Sequence, residues 1–413
     1  MSTPPASPSL TRAIAVGNRI SVAAARSEAS YIAELERIVG LAVPHLAPGR
    51  PNLIVLTEVL GLPAALVGAR GWPTRRARTT QTALTLLGAA YLPRIRRIQR
   101  MWPGVSPARA LLLARADALY RPFAEMLSRL ANEHHTHIVA TTLAPRVRRS
   151  TDPHEIAAWG RHGAPAVYVP EGSEVYNAAL LFGPDGALLG RINKVFLTKG
   201  EIEMLDLTPG RLEDVQVIAT AAGRLGIAIS LDAFTSEYLR HLASQRAEIV
   251  VQPDANDQAW AAPSLTHEWQ PAEWLNSTLG SIQPEYPSLR YNICAMQTGN
   301  FFDIVFDGQS SITSRDAPAP RIDPRDAAER LDPVQTYIGV AEHWHTVEDK
   351  PLVGGFLALA PWVAPDPALS DPLLTLAERR ERLMEIGRTL LPSGSRANAY
   401  RESVIWADLD LSD

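Results

Sequence analysis

Residues 224–235 read RLGIAISLDAFT, an apolar run that ends in Ser230 and is followed by an aspartate. Short apolar runs bounded by polar residues or glycine are typical of strands buried on both faces. Open α/β sheets place their ligand sites beyond the carboxyl ends of such strands. We therefore predict that this strand delivers Ser230 to the mouth of a site.

The rest of the chain alternates strand-like apolar runs with segments of helical period, which favours an α/β fold. Strands are predicted at 12–23, 52–63, 137–144, 247–256 and 402–411, as hairpins in 175–197 and 215–231, and twice in 291–312. Helices are predicted at 28–46, 107–134, 236–246, 268–279 and 373–390. Residues 64–106 and 315–375 are predicted to be irregular. With no internal repeat or linker, one domain over 1–413 is expected, with a disordered tail at 1–10.

Composition narrows the class of protein. The chain has 413 residues, 46% of them apolar and 20% charged, and a net charge of −4, which gives no reason to expect nucleic acid as a partner. One cysteine, Cys294, excludes an internal disulfide and suits a reducing compartment. No secretory signal is recognisable, and the apolar stretch 83–92 is too short to cross a bilayer. We expect a cytoplasmic protein.

Positive charge is concentrated in the segment around 64–125, called here the basic insertion. Between Arg70 and Arg121 it carries eleven arginines against one acid, Asp117. A solvated surface is the simpler interpretation, because the whole chain has only three lysines and uses arginine as its default cation. A lid, an oligomer contact, or peripheral membrane contact through 92–104 are the functional interpretations, the first two being favoured.

Polar side chains end three of the predicted buried strands. Glu58 follows an apolar run, Lys194 ends the second strand of a hairpin, and Ser230 ends the strand quoted above. A charged side chain at such a position is costly unless it is paired. The three residues are therefore predicted to converge on one site.

The surroundings of these residues resemble the nitrilase, or carbon–nitrogen hydrolase, superfamily over nearly the whole chain. The resemblance lies in LIVLTEVLGLP (53–63), YNAALLFGPDGALLGRINKVFL (176–197) and GRLGIAISLDAF (223–234), with later support from 247–256, 292–302 and 403–411. It implies a four-layer α-β-β-α sandwich, a homo-oligomer such as a dimer, a small-molecule substrate and no cofactor. The gap between the first two motifs is longer than the family's, and the surplus falls in the basic insertion.

The resemblance also implies roles for individual residues. Glu58 would be the base, Lys194 would stabilise the oxyanion together with the backbone N–H of Leu231, and Ser230 would be the nucleophile. Glu201 would orient the lysine, with Glu203 as the competing candidate. Asp232 is expected to be structural.

The nucleophile departs from the family, which uses cysteine. Cys294 lies on a later strand and is expected to be a buried small hydrophobe. Since a serine hydroxyl loses its proton less readily than a thiol, Ser230 predicts slower chemistry. Three interpretations stay open: a slow hydrolase of an amide, carbamoyl or nitrile bond, a catalytically inactive binding or regulatory relative, and an engineered replacement of cysteine. Retention of Glu58 and Lys194 argues against long decay of the site, and so against the second, while the sequence does not separate the third from the others.

The segment after strand 247–256 is expected to wall the substrate cavity. Leu231, Asn256 and Trp260 are the predicted substrate contacts, whereas Trp269 and Trp274 are either part of an aromatic rim or core residues. The histidines in 134–137 and 343–345 lack the spacing of known metal motifs, so no metal is expected.

Overall fold

The computed structural model describes residues 10–160, 163–257, 260, 270–317, 353–360, 376–390 and 399–412. Its strands, numbered in chain order, are β1 (Leu10–Gly17), β2 (Arg19–Ile20), β3 (Asn52–Val55), β4 (His137–Ala144), β5 (Val147–Ser150), β6 (Val167–Pro170), β7 (Tyr176–Phe182), β8 (Leu188–Asn193), β9 (Ile218–Thr220), β10 (Gly223–Ile227), β11 (Ile249–Asp254), β12 (Tyr291–Met296), β13 (Thr298–Phe301), β14 (Ile304–Asp307), β15 (Ser311–Ser314), β16 (Gly355–Leu359) and β17 (Ser403–Asp410).

The α-helices in the described part of the chain are α1 (Glu28–Ala42), α2 (Thr80–Met101), α3 (Pro107–Ala114), α4 (Ala116–Glu133), α5 (Pro153–Trp159), α6 (Lys199–Glu203), α7 (Ser236–Ser244), α8 (Gln270–Thr278) and α9 (Leu376–Leu390). Strands and helices alternate along most of the chain, so the predicted α/β class is confirmed. None of the described helices is both long and apolar enough to span a bilayer.

Two six-stranded sheets form the centre of the fold. The strand order is β17-β1-β3-β4-β7-β8 in the first sheet and β16-β15-β12-β11-β10-β9 in the second. β1, β3 and β4 run parallel in the first, and β10, β11 and β12 run parallel in the second. Each sheet therefore has a parallel centre whose carboxyl ends form one edge.

The side chains of the central strands alternate between two apolar clusters, as the period of a strand requires. The cluster between the sheets includes Ala13, Leu53, Val55, Val139, Ile227, Val251 and Ile293. Ile14, Ile54 and Ile138 face the other way and pack against α1 and α4. On the outer face of the second sheet, Cys294 packs with Trp274 of α8. Helices α1 and α4 therefore pack on the first sheet, and α8 packs on the second.

The basic insertion contains the clearest error of sequence reasoning. Residues 64–106 were expected to be irregular, but α2 spans 22 of them. Its buried face consists of Ala83, Leu87, Tyr91, Ile95 and Ile98, a helical spacing that the many arginines and Pro93 obscured. The prediction was wrong because charge density was given more weight than the period of the apolar residues.

Other boundaries also differ. The single helix expected at 107–134 is divided into α3 and α4, because the backbone leaves the helical region at Arg115. The segment 291–312 contributes to four strands rather than two, and β16 lies in the segment expected to be loop. Residues 1–9, Trp269 and the histidines at 343 and 345 lie outside the described residues.

Candidate active site

Glu58 lies three residues after β3, in the turn that leaves the first sheet, and its side chain is buried. The next residue, Val59, has a positive φ of 53° and donates its N–H to Thr141 Oγ1 at 2.7 Å. The Glu58 N–H donates to the backbone oxygen of Asp254 at 3.4 Å. This backbone bond joins the carboxyl end of β3 to that of β11 in the second sheet.

Lys194 directly follows β8 and is 1% exposed. Its backbone N–H donates to the oxygen of Asn177 at 2.8 Å, which continues the β7–β8 ladder. Its ammonium lies 2.7 Å from Glu58 Oε1 and 2.9 Å from Glu201 Oε2. The structure therefore brings together three of the four residues expected to be catalytic.

Glu201 rather than Glu203 reaches the lysine because of a capping box at the start of α6. Thr198 Oγ1 accepts the Glu201 N–H at 3.3 Å, and Glu201 Oε2 accepts the Thr198 N–H at 2.8 Å. Glu203 is exposed and lies 3.9 Å from the exposed Lys199. The helix start thus decides which of the two glutamates enters the site.

Asn177, on β7, completes this group, which we call the strand-end cluster (Glu58, Asn177, Lys194 and Glu201). Its Nδ2 donates to Glu58 Oε1 and to Glu201 Oε1, each at 2.7 Å. Its Oδ1 is buried and has no hydrogen-bond partner among the described residues. Sequence reasoning missed it, although a polar residue opening the apolar run 176–182 and pairing beside Lys194 was a usable signal.

Ser230 begins the 3-10 turn Ser230–Phe234 just beyond β10. Its φ is +46°, a left-handed conformation that costs a residue with a Cβ atom about 1 kcal/mol or more. The residue is 9% exposed, and its hydroxyl lies near enough to Asp254 to lower the pKa of that carboxyl. A strained, nearly buried serine at a strand end is typical of a positioned reactive group.

Asp254 is the last residue of β11 and was not predicted as a site residue. β11 lies parallel to β10, so its carboxyl end reaches the same edge as Ser230. Gln252 Nε2 donates to Asp254 Oδ2 at 2.9 Å. An acid that ends the apolar run 249–254 is the signal that could have identified it.

Asp232 holds the two chain segments that carry Lys194 and Ser230. Its Oδ1 accepts the N–H groups of Val195 and Phe196 at 3.1 and 2.8 Å, and its Oδ2 accepts that of Ile229 at 3.3 Å. These are structural contacts, in line with the sequence prediction.

The Lys194 ammonium contacts the carboxylates of Glu58 and Glu201 at this edge of the sheets, and its charge also acts on the buried Asp254 and Asp232. Burial lowers the pKa of Lys194, but Glu58 and Glu201 outweigh burial and raise it above its ordinary value. Burial raises the pKa of Glu58 despite the opposing charge of Lys194, and Glu201 and Asp254 raise it further. A single lysine cannot neutralise all four acids, so the pKa values of Glu58, Asp232 and Asp254 are raised toward neutral pH.

The pKa values of Glu201 and Asp254 are shifted in opposite directions. Burial alone would raise the pKa of Glu201, but Lys194 and the Asn177 amide lower it overall. Burial raises the pKa of Asp254, and the hydrogen bonds from Gln252 and Ser230 offset only part of that effect. The site therefore holds a permanent ion pair beside two acids that can exchange a proton, the combination that general acid–base chemistry uses.

The predicted substrate contacts have different surroundings. Leu231 is half-buried next to Ser230, and Asn256 Nδ2 donates to Gln270 Oε1 at 2.6 Å. Trp260 is fully buried, with its ring centroid 5.5 Å from that of Trp274, so both indoles belong to the core beyond the second sheet. Contact of Leu231, Asn256 and Trp260 with substrate stays a prediction.

Within the described ranges, no group of three or more histidine, cysteine, aspartate or glutamate side chains is arranged to hold a metal ion. His137 is a buried strand residue whose Nδ1 lies 3.2 Å from the oxygen of Asn52.

Solved structures similar to this chain include a carbon-nitrogen hydrolase from Helicobacter pylori G27, with 16% identity, coverage of 74% of this chain and 82% of that chain, and a TM-score of 0.46. Nit3 of Saccharomyces cerevisiae, from branch 10 of the nitrilase superfamily, has 16% identity, coverage of 74% and 83%, and a TM-score of 0.44. An amidase from Nesterenkonia sp. has 15% identity, coverage of 74% and 82%, and a TM-score of 0.41. No curated protein sequence matches the chain significantly.

The sequence match to a family is stronger. The carbon-nitrogen hydrolase family model covers residues 64–317, more than half of the chain, including Lys194, Glu201 and Ser230. Glu58 lies six residues before the matched range. The chain belongs to the carbon-nitrogen hydrolase family.

Proposed function

We propose that the protein hydrolyses a non-peptide carbon–nitrogen bond of a small amide, carbamoyl compound or nitrile, with Ser230 as nucleophile. The observation that carries the proposal is the buried ion pair of Glu58 and Lys194 near Asp254, the carboxyl whose pKa is also lowered by the hydroxyl of the left-handed Ser230. Buried charges are expensive to keep, and this arrangement supplies each part that acyl transfer needs.

For an amide, the reaction runs in two balanced steps. Ser230 Oγ forms a bond to the carbonyl carbon while its proton passes to a carboxylate, and the oxyanion is stabilised by Lys194 and by the N–H of Leu231. The carbon–nitrogen bond then breaks, and the leaving nitrogen takes the proton. In the second step, the carboxylate deprotonates a water that attacks the ester, which releases the acid and restores the serine hydroxyl.

Two carboxylates compete for the role of base. Glu58 has the family's role and a raised pKa that suits proton transfer near neutral pH. Asp254 is the carboxyl whose pKa the Ser230 hydroxyl lowers, so it lies near that hydroxyl. We assign the proton transfer to Glu58 and the orientation of the hydroxyl to Asp254. Glu58→Gln should then remove turnover, whereas Asp254→Asn, which keeps a hydrogen-bonding group, should retain part of it.

The deciding experiment assays a panel of amides and nitriles with variants at Ser230. Ser230→Ala and Ser230→Gly should each reduce hydrolysis by roughly a thousandfold or more, and a stalled acyl adduct should appear on the parent protein by mass spectrometry. Gly is the matched control for folding, because it removes the hydroxyl and relieves the left-handed strain. Hydrolysis that survives unchanged in Ser230→Ala would exclude serine as nucleophile.

The second candidate function is a catalytically silent binding or regulatory protein. It is favoured by the serine itself, since hydroxyls are weaker nucleophiles than thiols. Ser230→Cys separates the alternatives. Turnover by that variant alone would indicate a lapsed or engineered enzyme, whereas turnover by the parent as well would indicate a serine hydrolase.

Three further proposals concern the setting of this chemistry. The reaction needs no cofactor, because serine, carboxylate and ammonium supply all of its steps. We also propose that the protein is cytoplasmic and acts as a homo-oligomer. Light scattering on purified protein tests the oligomeric state, and a monomeric mass across the working concentration range would overturn it.

A further inference from the structure

A cavity of about 910 Å³ lies between the basic insertion and the helices over the first sheet, away from the strand-end cluster. Its walls carry six arginines and only two carboxylates, Glu28 and Asp117. The arginines are Arg26, Arg70, Arg75, Arg94, Arg115 and Arg121. We call it the arginine cavity. A neighbouring cavity of about 590 Å³ shares Arg26, Trp72 and Arg75 with it.

Both carboxylates are engaged by a single arginine. Arg121 lies 2.7 Å from Glu28 and 3.3 Å from Asp117. Arg70, Arg94 and Arg115 have no carboxylate within ion-pair distance in the part of the chain that the structure describes. The cavity wall therefore carries an excess of positive charge that the protein itself does not neutralise.

Arg115 shows how the excess is held in place. It is buried, and its guanidinium donates to the backbone oxygens of Ala64, Ala65 and Val67 at 2.9 to 3.1 Å and to the Tyr91 hydroxyl at 2.6 Å. These neutral acceptors satisfy the donors, and the nearby charge of Asp117 offsets only part of the effect of burial. A buried cation with no carboxylate in direct contact carries a desolvation cost, which an anionic ligand would reduce.

The arginines also repel one another around Tyr91. The guanidinium groups of Arg70 and Arg115 lie 5.3 and 5.1 Å from the centroid of the Tyr91 ring. Burial lowers the pKa of Arg94, and the charges of Arg70 and Arg97 lower it further. Burial and Arg94 likewise lower the pKa of Arg115. Such mutual destabilisation is typical of a site whose charge is completed by a ligand.

We propose that the arginine cavity binds a small phosphate-bearing anion. The planar fork of a guanidinium matches the oxygens of a phosphate, and several converging arginines favour a ligand of two or more negative charges. The volume lies in the range of small-molecule sites. Trp72, half-exposed on the wall shared by the two cavities and covered on one side by Arg76 at 3.9 Å, offers an apolar surface for the rest of the ligand.

The test titrates the full-length protein with inorganic pyrophosphate by calorimetry, in parallel with Arg70→Gln and Arg94→Gln. Arg96→Gln is the matched control. Arg96 lies on α2, as Arg94 does, but it is exposed and does not line the cavity. Each cavity variant should weaken binding by roughly tenfold or more, and the control by much less. Arg115 is left intact, since its removal would strand the carbonyl groups that it holds.

Vesicles of phosphatidylcholine, with and without phosphatidylglycerol, distinguish a soluble phosphate from a lipid headgroup. Saturable binding of pyrophosphate that is lost in the cavity variants supports a soluble ligand. Binding to the anionic vesicles alone, lost in the same variants, supports a headgroup in the same cavity. Absence of saturable binding to either probe, or an equal loss in Arg96→Gln, would overturn the proposal, because it would reduce the effect to surface charge.

Discussion

Two groups of charged side chains in this molecule are buried in contrasting ways. In the strand-end cluster, Lys194 is in contact with two carboxylates, and every charged group has an opposite charge close by. In the arginine cavity, Arg115 is buried against backbone carbonyls and the Tyr91 hydroxyl, and Arg94 lies beside other arginines. The cation of the first group thus has its counter-ions within the protein, whereas Arg94 and Arg115 of the second group have no carboxylate within ion-pair distance among the described residues.

This contrast separates two kinds of functional charge. A catalytic cluster must keep its charges fixed before substrate arrives, so it carries its own counter-ions. A binding site can leave its charge open, because the ligand brings the compensation. Removal of the Lys194 charge should therefore lower the free energy of unfolding strongly, whereas removal of an unpaired arginine charge such as that of Arg94 should change it little.

The largest effect is expected from Lys194→Met. Removal of the ammonium leaves Glu58 and Glu201 buried without a counter-ion, and breaking a buried pair in this way costs about 3–5 kcal/mol of unfolding free energy. Urea denaturation measures it, with Lys199→Met as the exposed control, which should change stability by less than about 0.5 kcal/mol. Adding Glu58→Gln to Lys194→Met should restore part of the loss. A similar cost for both lysines would break the comparison.

An intermediate effect is expected in the pH dependence of stability. The pKa of Asp254 is raised above its ordinary 3.8, so its contribution to stability is lost as pH rises through the folded-state value. The pKa of Glu201 is lowered below 4.5, so its contribution is present above that pH and is lost as pH falls.

Asp254→Asn should consequently lose less stability than the parent as pH rises, and Glu201→Gln should be less stable than the parent above pH 4.5. Both differences should be on the order of 1 kcal/mol, measured as urea midpoints between about pH 4 and pH 8. The same sign of change for both variants would contradict the assigned pKa directions.

The smallest effect is expected within the arginine cavity. Arg121→Gln removes the partner of Glu28 and Asp117 and should cost about 1 kcal/mol in phosphate-free buffer. Arg94→Gln removes a repelled charge and should stay within about 0.5 kcal/mol of the parent. If Arg94→Gln were as costly as Arg121→Gln, its charge would be needed for folding, and the distinction between the two groups would fail.

The sequence predicted the strands correctly where a run of apolar residues is also buried in the structure. The run 137–144 coincides with β4, and 215–231 contains the predicted hairpin of β9 and β10, because β-branched and apolar residues are concentrated there. α2 was missed because its buried face is spread over five turns among exposed arginines. The stability of α2 comes from packing against parts of the chain that are distant in sequence, and a short stretch of sequence does not show these contacts.

The site divides in the same way. Four site residues were predicted because each lies in or just after a stretch that resembles the family: Glu58, Lys194, Glu201 and Ser230. Asn177 and Asp254 were not, because each is a single polar residue at the end of an apolar strand, and its partners are distant in sequence. The hydrogen bond from Asn177 to Glu58, for example, joins residues 119 positions apart. Such partners become visible only when the strands are paired.

The hydrogen bond from the Glu58 N–H to the Asp254 oxygen has a further consequence. It crosses from one sheet to the other, with the lysine and glutamates on one side and Ser230 and Asp254 on the opposite side. Neither half is a reaction centre alone, so turnover should begin only after the two sheets have docked during refolding. Regain of activity would then lag behind regain of circular dichroism, and the enzyme would serve as its own reporter of completed assembly.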